Sequence, residues 1–417
     1  MKHSTLRIAW RNLGRNRRRS LLVMGAIALG QFTLVFVNGL MAGSFRQMLE
    51  TVTGPMVGHV QVHQEDWRRE RAVDLYVDHF SRIRGEIETV PEVRRVAGRI
   101  YAPALAAPGE EGSQPATAEP AMLVGVEAKA ESAKGGLLES LDERDLPSGQ
   151  SVVLGDVMAN RVNVKPGGLI AIIGQDADGF PATELFRVAA LVHTTVDVVN
   201  TRGVVVGLKE AQQFLAMSDE VHEIIVHGND YQKADELAAS IAALPDLAGD
   251  EVLTWRQVVP EIVRMIDMKW WIDLLFVGVV FLAAAAGIAN TATMSTFERT
   301  HEFGMLLAVG ARPGRIVSMV LIESVLLGLT GVVIGSILGS AVVLITSQTG
   351  IDYAALAGVE AEDISFGGAS ISYVIYPYFE LRHILFGLGA VTVTSLLAAV
   401  WPALLAARLQ PVEAMRR

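Results

Sequence analysis

Two histidine-acid pairs are the first places where this chain could hold a metal or a general base, and neither completes a site. His301-Glu302 opens the pattern of a helical zinc protease, but Met305 stands where a second imidazole is needed. His222-Glu223 is followed by His227, which puts the two rings on different faces of a helix, and the surrounding run reads as a strand. Asp176-Ala177-Asp178-Gly179 starts like a calcium loop and lacks the later ligands, so it reads as a turn. There is no Gly-x-x-x-x-Gly-Lys-Ser/Thr phosphate loop and no Gly-x-Ser-x-Gly elbow. The complete lack of cysteine removes disulfides, thiolate-zinc sites and thiol nucleophiles together. The chain is therefore expected to be non-catalytic, with no metal or cofactor of its own.

The elements around these residues explain why chemistry is scarce. Ser20 to Phe45, Leu274 to Phe297, Ser324 to Ile351 and Ile384 to Ala407 contain no Asp, Glu, Lys or Arg. At ~1.5 Å per helical residue each can cross a hydrocarbon core of roughly 30 Å. Composition agrees, with 51% hydrophobic and 19% charged residues. The run after Ser20 is far longer than the h-region of a leader peptide, so it reads as a span.

Residues 1 to 20 carry seven Lys/Arg and no acid, whereas residues 46 to 271 carry 21 basic and 35 acidic groups. The positive-inside rule places both ends and the loop 298–315 in the cytoplasm, and 46–271 and 352–382 outside. A domain with that acidic balance is not expected to bind nucleic acid. The expected fold is four transmembrane helices with a large periplasmic α/β domain between helices 1 and 2. The chain divides into an amphipathic N-terminal helix (1–19), helix 1 with a stalk (20–52), the α/β domain (53–258), a stalk with helix 2 (259–297), a cytoplasmic segment (298–315), helix 3 (316–346), an exterior loop (347–382), helix 4 (383–407) and a cytoplasmic tail (408–417).

Within the domain, Val57 to His63 alternates like a half-buried strand. Leu169 to Ile173 and Leu185 to Val192 read as a hairpin, and Met122 to Val126, Val152 to Leu154, Val204 to Gly207 and Glu223 to Val226 as short strands. Helices are expected at about 74–90, 155–163, 209–216 and 231–244, and Ala107 to Pro120 reads as a flexible loop. Gly54-Pro55 should end the first stalk, and Trp270-Trp271 should sit at a membrane interface. In helix 3, Gly328, Gly331, Gly335 and Gly339 favour close helix packing. Glu323 either lines a pathway, binds a cationic head group or bonds to a neighbouring helix.

The segment Glu298-Arg299-Thr300-His301-Glu302-Phe303-Gly304-Met305-Leu306-Leu307-Ala308-Val309-Gly310-Ala311 resembles the coupling-helix motif of the FtsX/MacB/LolC family of ABC transporter permeases. Ala9-Trp10-Arg11-Asn12-Leu13 with Arg17 to Arg19, Gly58-His59-Val60-Gln61-Val62-His63, Glu323 with Gly328, Gly331 and Gly335, and Pro402-Ala403 through Pro411-Val412-Glu413-Ala414 are similar to the same family in order and spacing. Leu404 and Leu405, where the family has a basic pair, and Pro313 depart from it.

The resemblance implies a bacterial inner-membrane permease of the lipoprotein-releasing LolC/LolE type. It implies two separate P-loop ATPase subunits, which hold the ATP and Mg, and a second permease copy or paralogue. Membrane lipid, a lipoprotein or other amphiphilic cargo and a periplasmic acceptor complete the implied partners. Phe303, Met305, Leu306 and Val309 would enter an ATPase groove beside Gly304, Gly310 and Ala311, while Glu298, Arg299 and Glu302 make ion pairs at its rim. A MacB-like exporter of peptides or toxins and an FtsX-like activator of a peptidoglycan hydrolase are the alternatives.

Overall fold

The computed structural model describes residues 17–109, 118–358, 364–366, 368–371 and 373–408. The expected helix before Arg17, most of the loop between Pro108 and Glu119, and the tail beyond Arg408 lie outside the described residues. The chain divides into two compact units: one of Met1–Phe45, Ile266–Val359 and Val374–Arg417, and one of Arg46–Met265 with Glu360–Tyr373.

The first unit holds four helices long and apolar enough to cross a membrane. Span 1 is Arg17–Thr51, span 2 Pro260–Glu298, span 3 Pro313–Thr349 and span 4 Leu381–Ala407. The glycines of span 3 mark its packing seam. A Cβ built on Gly335 would collide with the Ala28 carbonyl oxygen, so here the backbones of spans 1 and 3 meet without side chains between them. Gln31 Nε2 donates to Ser336 Oγ at 3.1 Å across the same seam. Ile27, Ala284, Ile288, Leu327, Val332 and Val391 form the apolar centre drawn from all four spans. Trp270 and Trp271 are 64% and 68% exposed.

The second unit is built on nine strands: β1 (Val60–Gln64), β2 (Val93–Pro108), β3 (Glu119–Val126), β4 (Ser151–Gly155), β5 (Leu169–Gln175), β6 (Pro181–Val192), β7 (Gly203–Gly207), β8 (Glu223–Gly228) and β9 (Asp250–Thr254). Their order is β3-β7-β4-β6-β5-β2-β8-β1-β9. An additional β2–β3 pairing closes β2, β3, β7, β4, β6 and β5 into a ring. β2 is the seam: Val93 to Arg99 pairs with β8, while Ala104 to Pro108 pairs with β5.

Several expected elements change in extent for physical reasons. β1 starts at Val60 because Gly58 has φ +71 and breaks the chain direction. Its expected alternation fails, since Gln61 and His63 are as buried as Val60 and Val62: β1 lies between β8 and β9. The helix expected at 74–90 is Phe80–Ile87, because Val77 is committed to a bridge with Val221 and His79 has φ +54. The loop expected from Ala107 is strand through Pro108 and strand again from Glu119. Helices Asp156–Val162, Leu208–Phe214 and Ala234–Ala242 match the expected positions with ends that differ by one to three residues.

At Gly54-Pro55 the α-helix widens into a π turn, Val52–Met56. Pro55 has no N–H to give, and the Val57 N–H reaches back to the Val52 carbonyl at 2.8 Å. The segment 347–382 between spans 3 and 4 is more than a connection. It contains a hairpin, Ile364–Phe366 with Ala369–Ile371, and the Gly368 carbonyl accepts from the Asp197 N–H at 3.0 Å within the second unit.

Candidate functional site

The candidate site lies in the first unit, where span 2 ends and a short helix, Thr300–Ala308, connects to span 3. Arg299 is the bend between them, with φ −109 and ψ 15. Beyond the short helix Gly310 takes φ +91, and the Ala311 N–H caps the Leu306 carbonyl at 2.9 Å. Pro313 then opens span 3, a position where its missing N–H leaves no bond unmade.

One face of the short helix is sealed against the spans. Phe303 is 1% exposed and packs with Ile316, Met319, Val320, Ala403 and Ala406. Truncating such a phenylalanine costs about 3–5 kcal/mol. Gly304 is buried beside it. The other face is open, with Met305 45%, Leu306 41% and Val309 89% exposed.

Among the charged residues Arg299 is buried, while Arg19, Glu298 and Glu302 keep part of their side chains exposed. Arg299 Nε donates to Glu302 Oε2 at 3.0 Å and Nη1 to Glu323 Oε2 at 2.8 Å. Its guanidinium carbon lies 4.9 Å from the centre of the Phe303 ring. Arg19 Nη1 reaches Glu298 Oε1 at 3.3 Å, joining the start of span 1 to the end of span 2. A cavity beside these pairs is lined by Thr291, Ser295, Thr296 and Ser324 as well as by the ions themselves. The buried Thr296 hydroxyl has no partner among the described residues.

The residues singled out from the sequence thus lie on one short helix and its flanking bends, some covered and some exposed. Phe303 and Arg299, expected in an ATPase groove and at its rim, are covered by the chain's own helices, because an i, i+4 helix pattern cannot say which of two apolar strips the chain itself covers. Of the readings open for Glu323, the bond to a neighbouring helical element is the one seen. Gly328, Gly331 and Gly335 face spans 1 and 4, away from this cluster.

The second unit contains a buried polar cluster that the sequence analysis missed. Arg99, 1% exposed, donates through Nε and Nη2 to both oxygens of Glu131 at 2.6 and 2.9 Å. Burial opposes its charge, yet Glu131 holds the guanidinium above its ordinary pKa. Burial would raise the Glu131 carboxyl, but Arg99 and the Leu137 N–H hold it below the usual range.

Arg99 Nη1 and His227 Nε2 reach the Met56 and Gly54 carbonyls at 3.4 and 2.9 Å, supplying partners to the π turn. His227 must carry its proton on Nε2 for that bond, leaving Nδ1 to accept from Arg95. Burial, then Arg95, push His227 down to about 3, and burial pushes His63 down to about 4. Burial and Glu223 push the Tyr101 phenol up to about 12. The available signal was Arg95, Ala97 and Arg99 at alternate positions of β2, which gives two arginines one face of a strand. His222, His227 and Glu223 do not form a metal site, and no group of three or more His, Asp or Glu suited to a metal occurs among the described residues.

The MacB-like periplasmic core domain family matches residues 20–244, more than half of the chain, and the FtsX-like permease C-terminal family matches residues 274–411. The chain belongs to the MacB-like family, with an FtsX-like permease region. ABC transporter permease YtrF of Bacillus subtilis (strain 168) is 38% identical over 109 residues, 26% of this chain and 24% of YtrF. Macrolide export ATP-binding/permease protein MacB 2 of Aeromonas hydrophila subsp. hydrophila is 24% identical over 96% of this chain and 59% of that protein. The chain thus spans less than two thirds of the length of either relative. The periplasmic region of MacB from Actinobacillus actinomycetemcomitans overlays 52% of this chain and 97% of that one at 14% identity and a TM-score of 0.35. The connecting helix with Arg299 lies inside the FtsX-like region, and β1 to β8 inside the MacB-like match.

Proposed function

We propose that this MacB-like permease is the membrane subunit of an ATP-driven machine whose ATPase subunits are separate chains docking on the connecting helix. The observation that carries the reading is Met305 and Leu306 on a nine-residue helix between two spans, exposed together with Val309, which caps that helix. An apolar strip between a sealed face and a tight turn is suited to a groove on a partner. Movement of the docked helix would be carried through the spans to the α/β domain, held outside the membrane with both chain ends in the cytoplasm. The apolar windows of the spans contain no Asp, Glu, Lys or Arg, which favours transmission of force over a charged conduit.

The leading cargo is a lipidated or otherwise amphiphilic molecule, taken from the outer leaflet of the inner membrane in the manner of LolC and LolE. The name of the Aeromonas relative supports a second reading, export of a compound such as a macrolide. One experiment separates them. The tagged chain is co-purified with the ATPase it retains, reconstituted in lipid, and assayed for ATP hydrolysis with a triacylated lipoprotein or with a macrolide. Stimulation by lipoprotein alone supports release, and stimulation by macrolide alone supports export. Failure of the chain to retain any ATPase sinks the whole reading.

A further inference from the structure

We propose that Arg299 is the positioning residue through which movement of the connecting helix reaches span 3, acting by its paired bonds to Glu302 and Glu323. The proposal rests on the ATPase-coupled reading above.

Its first support is placement. Arg299 is the non-helical residue between span 2 and the connecting helix, so any rotation of that helix about its start turns on this backbone. A side chain at such a bend can either follow the motion or resist it. Here it is fixed at three points: Glu302 on the connecting helix, Glu323 on span 3, and the Met319 sulfur at 3.6 Å on span 3. A planar guanidinium with two carboxylates on different elements transmits both a direction and a distance, which a lysine point charge does not.

The second support is the material around it. Phe303, under the guanidinium, ties the same helix to spans 3 and 4, and Arg19 with Glu298 ties span 1 to the last residue of span 2. Within one turn of the bend, every span therefore has a contact with the joint.

The third is the cavity. A joint packed on all sides would be a static strut, but Arg299 borders a cavity also lined by Thr291, Ser295, Ser324 and Thr296, the buried Thr296 hydroxyl having no partner among the described residues. Polar residues beside the guanidinium would let it shift without being left buried and unpaired.

The test uses the full chain in lipid with the ATPase that co-purifies with the wild type. Arg299→Gln, Arg299→Lys and Glu323→Gln are compared for ATPase binding, for the maximal rate of permease-dependent hydrolysis and for the KM for ATP. The expected result is that all three variants bind the ATPase as the wild type does, with KM unchanged. Their maximal rate falls to that of the ATPase alone, Arg299→Lys included, because one ammonium cannot hold both carboxylates in the guanidinium's geometry. Wild-type stimulation in Arg299→Gln or Glu323→Gln overturns the proposal, as does full stimulation in Arg299→Lys. Loss of ATPase binding in Glu323→Gln, whose side chain keeps its shape, would assign the cluster to docking and overturn it too. A wild-type chain that retains no ATPase removes the functional reading beneath it, a distinct failure.

Discussion

Two buried arginines, Arg99 in the α/β unit and Arg299 among the spans, meet carboxylates in opposite ways. Arg99 gives two donors to the two oxygens of one glutamate, and both side chains are 1% exposed. Arg299 divides its donors between two glutamates on different elements, with Glu302 37% exposed at its side chain. The first arrangement fixes a single geometry. The second leaves each partner a route to solvent or to the adjoining cavity. The difference teaches that burial of a charge does not decide its role; the number of elements it bridges and the room beside it do.

The largest effect should come from breaking the rigid pair. Arg99→Met leaves Glu131 buried without its partner and removes a donor from the π turn, which should cost about 3–5 kcal/mol. The thermal midpoint of the purified chain, read on the α/β unit by limited proteolysis, checks it. Adding Glu131→Leu to that variant should return most of the loss, because no unpaired charge remains. If the double variant is no better than the single, the pair is not the unit described.

Next comes acid. His63 and His227 are held near 4 and near 3, below the ~6.5 of an exposed imidazole. A depressed folded pKa stabilises the protein above the unfolded value and is lost as pH falls toward the folded one. Stability of the α/β unit should thus be flat above pH ~6.5 and fall below it, by about 2 kcal/mol per histidine at pH ~5. His227→Gln should flatten that slope when unfolding is followed between these two values. Arg95 and Glu131 face His227, so the slope belongs to the cluster rather than to one ring.

Arg299→Gln should destabilise less than Arg99→Met, by about 1–3 kcal/mol, since its acceptors can rehydrate. Comparing thermal midpoints in one detergent sharpens the contrast, and equal losses would dissolve it. Val309→Asp should be smallest in stability, within about 0.5 kcal/mol at an exposed position, while weakening ATPase retention on an affinity column. Unchanged retention would remove Val309 from the docking surface.

Much of this was legible in the sequence, unevenly. Charge-free windows are a strong signal, because lipid forbids charged residues over the length of a helix, and they located all four spans. The segment between spans 2 and 3 was legible as a family motif, but the inward turn of Arg299 was not: its partner Glu323 is 24 residues away and becomes a neighbour only when span 3 packs. β2 escaped notice because alanine and proline fill its second half and arginine its first, so neither propensity nor alternation marks it. Its length is dictated by the pairings on both sides, a tertiary cause invisible in local pattern. Arg99 and Glu131 lie 32 positions apart with nothing between them to suggest a pair.

The hairpin between spans 3 and 4 bears on modularity. Because 360–373 belongs with 46–265, the α/β unit is discontinuous in sequence, and the chain passes between the two units at four places rather than two. No single cut at each end can excise it whole. A soluble fragment ending at Met265 would lack the Gly368 carbonyl that receives the Asp197 N–H, leaving that donor to water. Each extra covalent passage also subtracts conformational freedom from the domain before any partner arrives. The unit is less a passenger carried between two helices than a body with its own return line to spans 3 and 4.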